Sequence, residues 1–172
     1  ETVVTQSKDM SSAETRGARD VLPRLRPVTA DALQERARQL RLDILDVISH
    51  APMGHYSSSL SCAEILVTLY HHVLRLRRGE PGWDDRDRFL LGKGHVAVAL
   101  WPLFAELEFF PQTWLRTFGQ LDSKLTDHPD MHRAPGVDFS SGSLGHNLSV
   151  GLGMALAARR RGKDHRIYVL LG

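Results

Sequence analysis

From Thr29 onward, apolar residues recur with the spacing of a helix. In TADALQERARQLRLDILDVISH, Leu33, Ala37, Leu40, Ile44, Val47 and Ile48 fall on one face, which predicts an amphipathic helix over residues 29–50. Thr29 or Asp31 is placed to cap it, Asp31 lies three residues before Gln34 as a capping box requires, and Pro52 disfavours continuation. A second stripe, Ile65, Leu66, Leu69, Tyr70, Val73 and Leu74, opens behind Ser61 and Glu64, again in capping-box spacing. The charged, turn-rich LRRGEPGWDDRD (76–87) predicts a surface connection, and RFLL (88–91) a short strand ended by Gly92. Helical spacing resumes over residues 95–110, with Pro102 in the first turns or at a kink, and Pro111 starts a short helix through Trp114, Leu115 and Phe118. Residues 121–143 carry no period; a loop of that length in a compact domain is usually functional or disordered. LGHNLSVGLGMALAARRRG (144–162) reads as a helix in which Gly145, Gly151 and Gly153 bring the backbone close to a neighbour. Arg159, Arg160 and Arg161 complement its negative end, and Gly162 stops it. IYVLL (167–171) reads as a fully buried strand. Helix, strand, helix, strand with apolar strands predicts an α/β fold, helices layered over a mostly parallel sheet.

Composition narrows this picture. A chain of 172 residues, 42% of them hydrophobic, suits one domain with a closed core. Its 22 Lys and Arg nearly balance 20 Asp and Glu, which argues against a protein that coats nucleic acid. Cys62 is the only cysteine, so no intrachain disulfide can form and a cytoplasmic, reducing compartment is expected. No apolar run reaches the length of a membrane span. Residues 1–28 lack the apolar stretch of a secretory signal and are too polar to bury much surface. They are expected to be a disordered tail ahead of a domain at 29–172.

Candidate chemistry concentrates in three glycine–histidine clusters, GHYSSSLS (54–61), GKGH (92–95) and SGSLGH (141–146), with DHPDMH (127–132) in the long loop. The histidine intervals fit no compact zinc pattern, and neither a companion cysteine nor an H-E-x-x-H helix accompanies them. Position is the stronger signal. Residues 92–95 follow a predicted strand and residues 141–145 precede a predicted helix. Ligands of open α/β sheets bind beyond the carboxyl ends of strands, where helix N-termini offer N–H groups to phosphate. Glycine lets backbone approach phosphate oxygens without an intervening Cβ. The pattern predicts a diphosphate cradle.

Taken together, the clusters resemble the N-terminal half of transketolases, the domain that holds the diphosphate of thiamine diphosphate, and most of all the separate N-terminal subunit of two-subunit forms. The resemblance rests on Gly54, His55, Ser59, Leu60, Ser61, Glu64, Ile65 and Leu66, and on Arg86, Asp87, Arg88 and Phe89 leading to Lys93, Gly94 and His95. It continues through His128, Pro129, Gly136, Val137, SGSLG at 141–145 and VLLG at 169–172, in order and spacing across residues 30–172. It implies a three-layer thiamine-diphosphate-binding fold and transfer of a two-carbon ketol unit from a ketose to an aldehyde. It implies His55, His95 and His128 as the catalytic set. His95 would lie beside the diphosphate, with backbone at Gly142, Ser143, Leu144 and Gly172 facing the cofactor, and His55 and His128 would line the substrate channel. In that family the last strand continues Gly-Asp-Gly, whose aspartate binds Mg²⁺ (or Ca²⁺). No metal ligand is therefore expected among residues 29–172, and the chain as given reads as a stretch of a longer subunit. The glutamate that activates the aminopyrimidine belongs to a companion subunit with the pyrimidine domain. Turnover would then need that partner, in a dimer of heterodimers acting on sugars or sugar phosphates, with neither nucleic acid nor membrane involved.

Five positions depart from the family pattern: Ser57, Gly92, Asp127, His146 and Asn147. Asp127 sets a carboxylate beside a channel histidine, which disfavours an approaching phosphate and predicts a substrate other than the ordinary pentose phosphates. The same fold also serves dehydrogenase E1 components and deoxyxylulose-phosphate synthases, and a non-catalytic scaffold subunit could keep it as well. Several residues have plainer roles. Ser61 with Glu64 reads as a helix cap, His71 and His72 as a helix face, the arginine triplet as a helix end, and Trp83, Trp101 and Trp114 as packing groups.

Overall fold

Ala37, Leu40, Ile44, Val47 and Ile48 are buried along one face of α1 (Ala30–Ser49), as the periodicity predicts, in a computed structural model that describes residues 21–51 and 53–172. Thr29 rather than Asp31 caps it: its hydroxyl accepts from the Ala32 N–H at 3.2 Å. The second stripe, preceded by a short helix α2 (Tyr56–Leu60) that the apolar spacing does not predict, lies in α3 (Ala63–Thr68), which widens into a π-helical turn at Leu69–Val73. Ser61 is therefore no N-cap. Its hydroxyl donates back to the Ser58 carbonyl at 2.8 Å, while Glu64 pairs across to Arg41 on α1. The apolar run after β3 (Arg88–Leu91) is likewise divided, into a 3₁₀ stretch (Gly94–Ala99) and α4 (Trp101–Glu106) with Pro102 in its first turn, where a missing N–H costs nothing. The core closes around Trp101, Phe104 and Phe118. Tyr70 packs edge-on to both Phe89 and Phe104, at 5.7 and 5.6 Å between ring centres.

Residues 21–28 do not belong to a disordered tail. Val21–Leu22 (β1) pairs antiparallel with Leu76–Arg77 (β2). Arg24 grips the buried Asp87, with its Nε donating at 2.8 Å and its Nη2 at 2.6 Å. Arg26 donates to the carbonyls of His71 and Leu74 at 2.9 and 2.6 Å, satisfying acceptors that the end of α3 leaves open. Composition counts these arginines as solvated charge; their partners are far away in sequence. Residues 1–20 lie outside the described residues.

β3 pairs in parallel with β4 (Ile167–Leu170), Arg88 opposite Ile167 and Leu91 opposite Leu170. This pair and its flanking helices make up an α/β layer. β4 is half-buried rather than fully buried, because among the described residues β3 is its only strand neighbour. Helix α5 (His146–Arg160) lies against β4 through Gly151, where an added Cβ would stand 2.6 Å from Val169 Cγ2; Gly145 and Gly153 meet nothing within 4 Å. Leu148, Leu152 and Leu156 are exposed on the outer face of α5. The aperiodic segment 121–143 is held to the sheet by Asp138, which accepts from Arg86 Nη1 and Nη2 at 2.9 and 2.7 Å and from the Phe89 N–H at 2.9 Å. Trp101 is buried in the core; Trp83 lies under Arg77 at 4.3 Å, and Trp114 stacks on Phe110 at 5.3 Å. No helix among the described residues is long and apolar enough to cross a membrane.

Candidate active site

The parallel strands β3 and β4 end side by side, so Gly92 and the residues after Leu170 open onto the same edge of the sheet. The chain leaving β3 must pass under the loop that leads into α5. Gly94 makes this passage fit: an added Cβ there would stand 2.5 Å from the Ser141 carbonyl oxygen and 3.0 Å from His128 Cδ2. The motif GKGH is thus clamped between two other motif segments, and His95 emerges at the rim.

Three imidazoles from separate segments meet there. His55 and His95 are edge-to-face at 5.1 Å between ring centres. Asp127 Oδ2 stands 3.9 Å from His55 Nε2 and 3.6 Å from His128 Nδ1, so it faces both rings rather than His128 alone. His55 is delivered by Gly54, whose φ of +133° and close approach to Ile48 (3.0 Å from an added Cβ) exclude a side chain at the turn. Burial lowers the His95 pKa below its ordinary value, and the neighbouring His55, Lys93 and His128 add to the effect against the pull of Asp127. His95 is therefore a neutral imidazole at neutral pH, able to donate from one nitrogen and accept at the other.

The remaining expected residues surround these rings. Gly142 borders His128, 3.8 Å from an added Cβ to His128 Cδ2, and Ser143 and Leu144 follow it on the exposed approach to α5. Gly145 caps α5 in a left-handed conformation (φ +81°), and it has no side chain to cover the first-turn N–H groups. Gly172 lies against Lys93, with an added Cβ 2.6 Å from Lys93 Cδ. Sequence reasoning gives Lys93 no role although it stands inside GKGH; its flexible stem closes the gap between the two strand ends, a relation that spacing cannot express. Asn147 carries more than its departure from the family pattern suggests. It is fully buried, its Nδ2 donates to Ser141 Oγ at 2.9 Å, and its Oδ1 has no partner among the described residues. His132 and His146 stay exposed, His146 with its ring edge-on to Phe139 at 6.4 Å. His71 is committed elsewhere, to Glu106 at 3.3 Å. Among the described residues no group of three acidic, cysteine or histidine side chains is arranged to hold a metal ion. A cavity of about 280 Å³ between α1 and α4, bordered by Arg36, Asp43, His71 and Glu106, shares no residue with the rim.

Comparison with known proteins points the same way. Residues 32–167 match the family model described as transketolase, thiamine diphosphate binding domain. The chain is 38% identical over 143 residues to one of the subunits of the apulose-4-phosphate transketolase of Actinobacillus succinogenes, covering 83% of this chain and 52% of that protein. It is 37% identical over 140 residues to the 6-deoxy-6-sulfo-D-fructose transketolase subunit SqwG of a Clostridium species, covering 81% and 51%. The chain thus spans about half the length of the curated relatives it matches. Among solved structures, the transketolase of Campylobacter jejuni superposes with a TM-score of 0.77 at 32% identity, over 84% of this chain and 24% of that one.

Proposed function

Since the chain belongs to the transketolase family, in the region of its thiamine-diphosphate-binding domain, we propose that it is the diphosphate-binding part of a two-subunit transketolase. That enzyme moves a two-carbon ketol unit from a ketose to an aldehyde acceptor, and turns over only with a companion subunit that carries the pyrimidine domain, in a dimer of heterodimers. The observation that carries this reading is the meeting of His55, His95 and His128 beside the loop that leads into α5, beyond the carboxyl ends of two parallel strands. The lone, buried Cys62 suits a reducing cytoplasm, which belongs to the same proposal.

The rim residues fit an anionic diphosphate. Gly145 leaves the first turn of α5 open to an acceptor, Gly94 lets the His95 loop lie against the 141–145 loop, and Lys93 adds a positive charge beside Gly172. His95, Lys93 and the backbone of Gly142, Ser143, Leu144 and Gly172 would hold the cofactor, and a divalent cation, Mg²⁺ or Ca²⁺, would take its oxygen ligands from outside these residues. When bound, thiamine diphosphate supplies the nucleophilic carbon and the electron sink for cleavage of the carbon–carbon bond. The chain itself orients and shuttles protons. His55 and His128, half exposed at the mouth, donate to or accept from sugar hydroxyls, and His95, kept neutral, holds one hydrogen bond without adding charge.

The test is to assemble the full-length chain with the companion C-terminal half of a two-subunit transketolase and titrate thiamine diphosphate with Mg²⁺ by calorimetry, alongside a coupled assay for two-carbon transfer. Saturable binding that weakens at least about tenfold in His95→Ala, with transfer seen only in the assembled pair, is the expected result. Tight binding that His95→Ala leaves unchanged would refute the assignment of the rim.

A further inference from the structure

The proposed ketol transfer assigns Asp127 no role, yet it stands between two of the rim histidines. Its Oδ2 faces His55 Nε2 at 3.9 Å and His128 Nδ1 at 3.6 Å, two rings brought in by different loops. Its other oxygen, Oδ1, is buried and has no hydrogen-bond partner among the described residues. Thr126 anchors the backbone beside it, donating to the His128 carbonyl. Burying a carboxylate oxygen without a partner is unfavourable, so Oδ2, the oxygen that faces the two rings, is the one left to find donors.

We propose that Asp127 is a positioning and specificity-determining residue, which accepts from His55 Nε2 and His128 Nδ1 and so makes the rim select an uncharged, hydroxyl-bearing sugar end over a phosphorylated one. An imidazole that donates from one nitrogen presents the lone pair of the other, and the partner of the first decides which nitrogen that is. With Asp127 as the shared acceptor, His128 presents Nε2 and His55 presents Nδ1. Both are acceptors, suited to the O–H groups of a polyol. A phosphate dianion brings no proton to them and meets the fixed charge of the carboxylate behind them. At 3.9 and 3.6 Å both contacts are longer than a hydrogen bond, and the rings must shift toward the carboxylate to close them, in the free chain or as a substrate settles on them. The substrate half of this proposal rests on the transferase reading; the imidazole half stands without it.

Two variants separate the elements. Asp127→Ala removes the acceptor, and the near-isosteric Asp127→Asn keeps an acceptor oxygen while removing the charge. Proton–nitrogen correlation spectra of the imidazoles in the isotope-labelled full-length chain, assigned with His55→Gln and His128→Gln, report which nitrogen carries the proton. The unaltered chain should show His128 protonated at Nδ1 and His55 at Nε2, Asp127→Asn should keep this pattern, and Asp127→Ala should give averaged tautomers. In the assembled enzyme, the ratio of kcat/KM for a free ketose over its phosphorylated counterpart should fall about tenfold in Asp127→Asn. Unchanged tautomers in Asp127→Ala, or a ratio that stays within about twofold in Asp127→Asn, would overturn the proposal. If the unaltered enzyme neither binds thiamine diphosphate nor transfers a ketol unit, the transferase reading fails and the tautomer result still decides the role of Asp127 toward the rings.

Discussion

His95 shows how little of a residue's chemistry resides in its own side chain. Burial and the positive charge of Lys93 and of any protonated neighbour oppose its protonation, so its folded pKa lies below the ordinary imidazole value. A lowered histidine pKa means that the unfolded chain binds more protons between the two values, so stability from this residue is complete above the ordinary value and is lost as pH falls toward the depressed one. A proton NMR titration should therefore place the His95 midpoint below the ordinary imidazole value; an equal or higher midpoint would contradict the packing. Gly94 is a second single-residue test. With 2.5 Å between an added Cβ and the Ser141 carbonyl, Gly94→Ala must push the two loops apart. The expected cost is about 1–3 kcal/mol in chemical denaturation, with thiamine diphosphate binding weakened in the assembled enzyme.

Whole elements are tied together by contacts that separate look-alike residues. Gly151 and Gly153 both stand inside α5, but only Gly151 touches β4, where an added Cβ would be 2.6 Å from Val169 Cγ2. Gly153→Ala should stabilise the chain by up to about 1 kcal/mol through helix propensity. Gly151→Ala should destabilise it by about 1 kcal/mol net, because overlap with Val169 exceeds the same gain. Thermal melts of the two variants should move in opposite directions. The segment 121–143 depends on Asp138, buried with Arg86 at 6% and 7% side-chain exposure and also accepting from the Phe89 N–H. Asp138→Asn leaves the Arg86 charge buried without its counter-charge and should cost about 3 kcal/mol. Hydrogen exchange should then quicken through residues 127–141, since that pair fastens the loop carrying His128 to β3.

At the scale of the whole molecule, Asp87 joins four separate segments. It accepts from the Arg24 side chain at 2.8 Å, from the Arg75 N–H at 2.9 Å and from the Arg166 N–H at 2.7 Å, and its side chain is fully buried. The N-terminal segment, the approach to β2, the start of β3 and the approach to β4 thus share one carboxylate. Its burial raises the pKa and these donors lower it further than burial raises it, so the group stays ionised. Asp87→Ala should cost about 3–5 kcal/mol, whereas Arg24→Ala, which leaves both backbone donors in place, should cost less. Urea denaturation that ranks the two in the opposite order would show that the arginine and not the backbone pair holds the segments. Because β3 and β4 deliver Lys93, His95 and Gly172, the same variants should also loosen cofactor binding in the assembled enzyme.

Periodicity located α1, β3, α5 and β4 because a helix or strand must turn one stripe inward, and that demand is written locally, residue by residue. The glycine–histidine motifs were legible for a similar reason: glycine before histidine at a strand end is a local signature, and the order of the motifs carried the family. Other features depend on partners distant in sequence. Whether Arg24 and Arg26 are tail or anchor depends on Asp87 and the end of α3; whether Ser61 caps a helix depends on where α2 stops. In sequence Asp127 is the neighbour of one histidine, and only the convergence of two loops sets it between two. Local order is encoded in adjacent residues, but the pairing of charges and the meeting of rings depend on how the packed core brings distant backbone together.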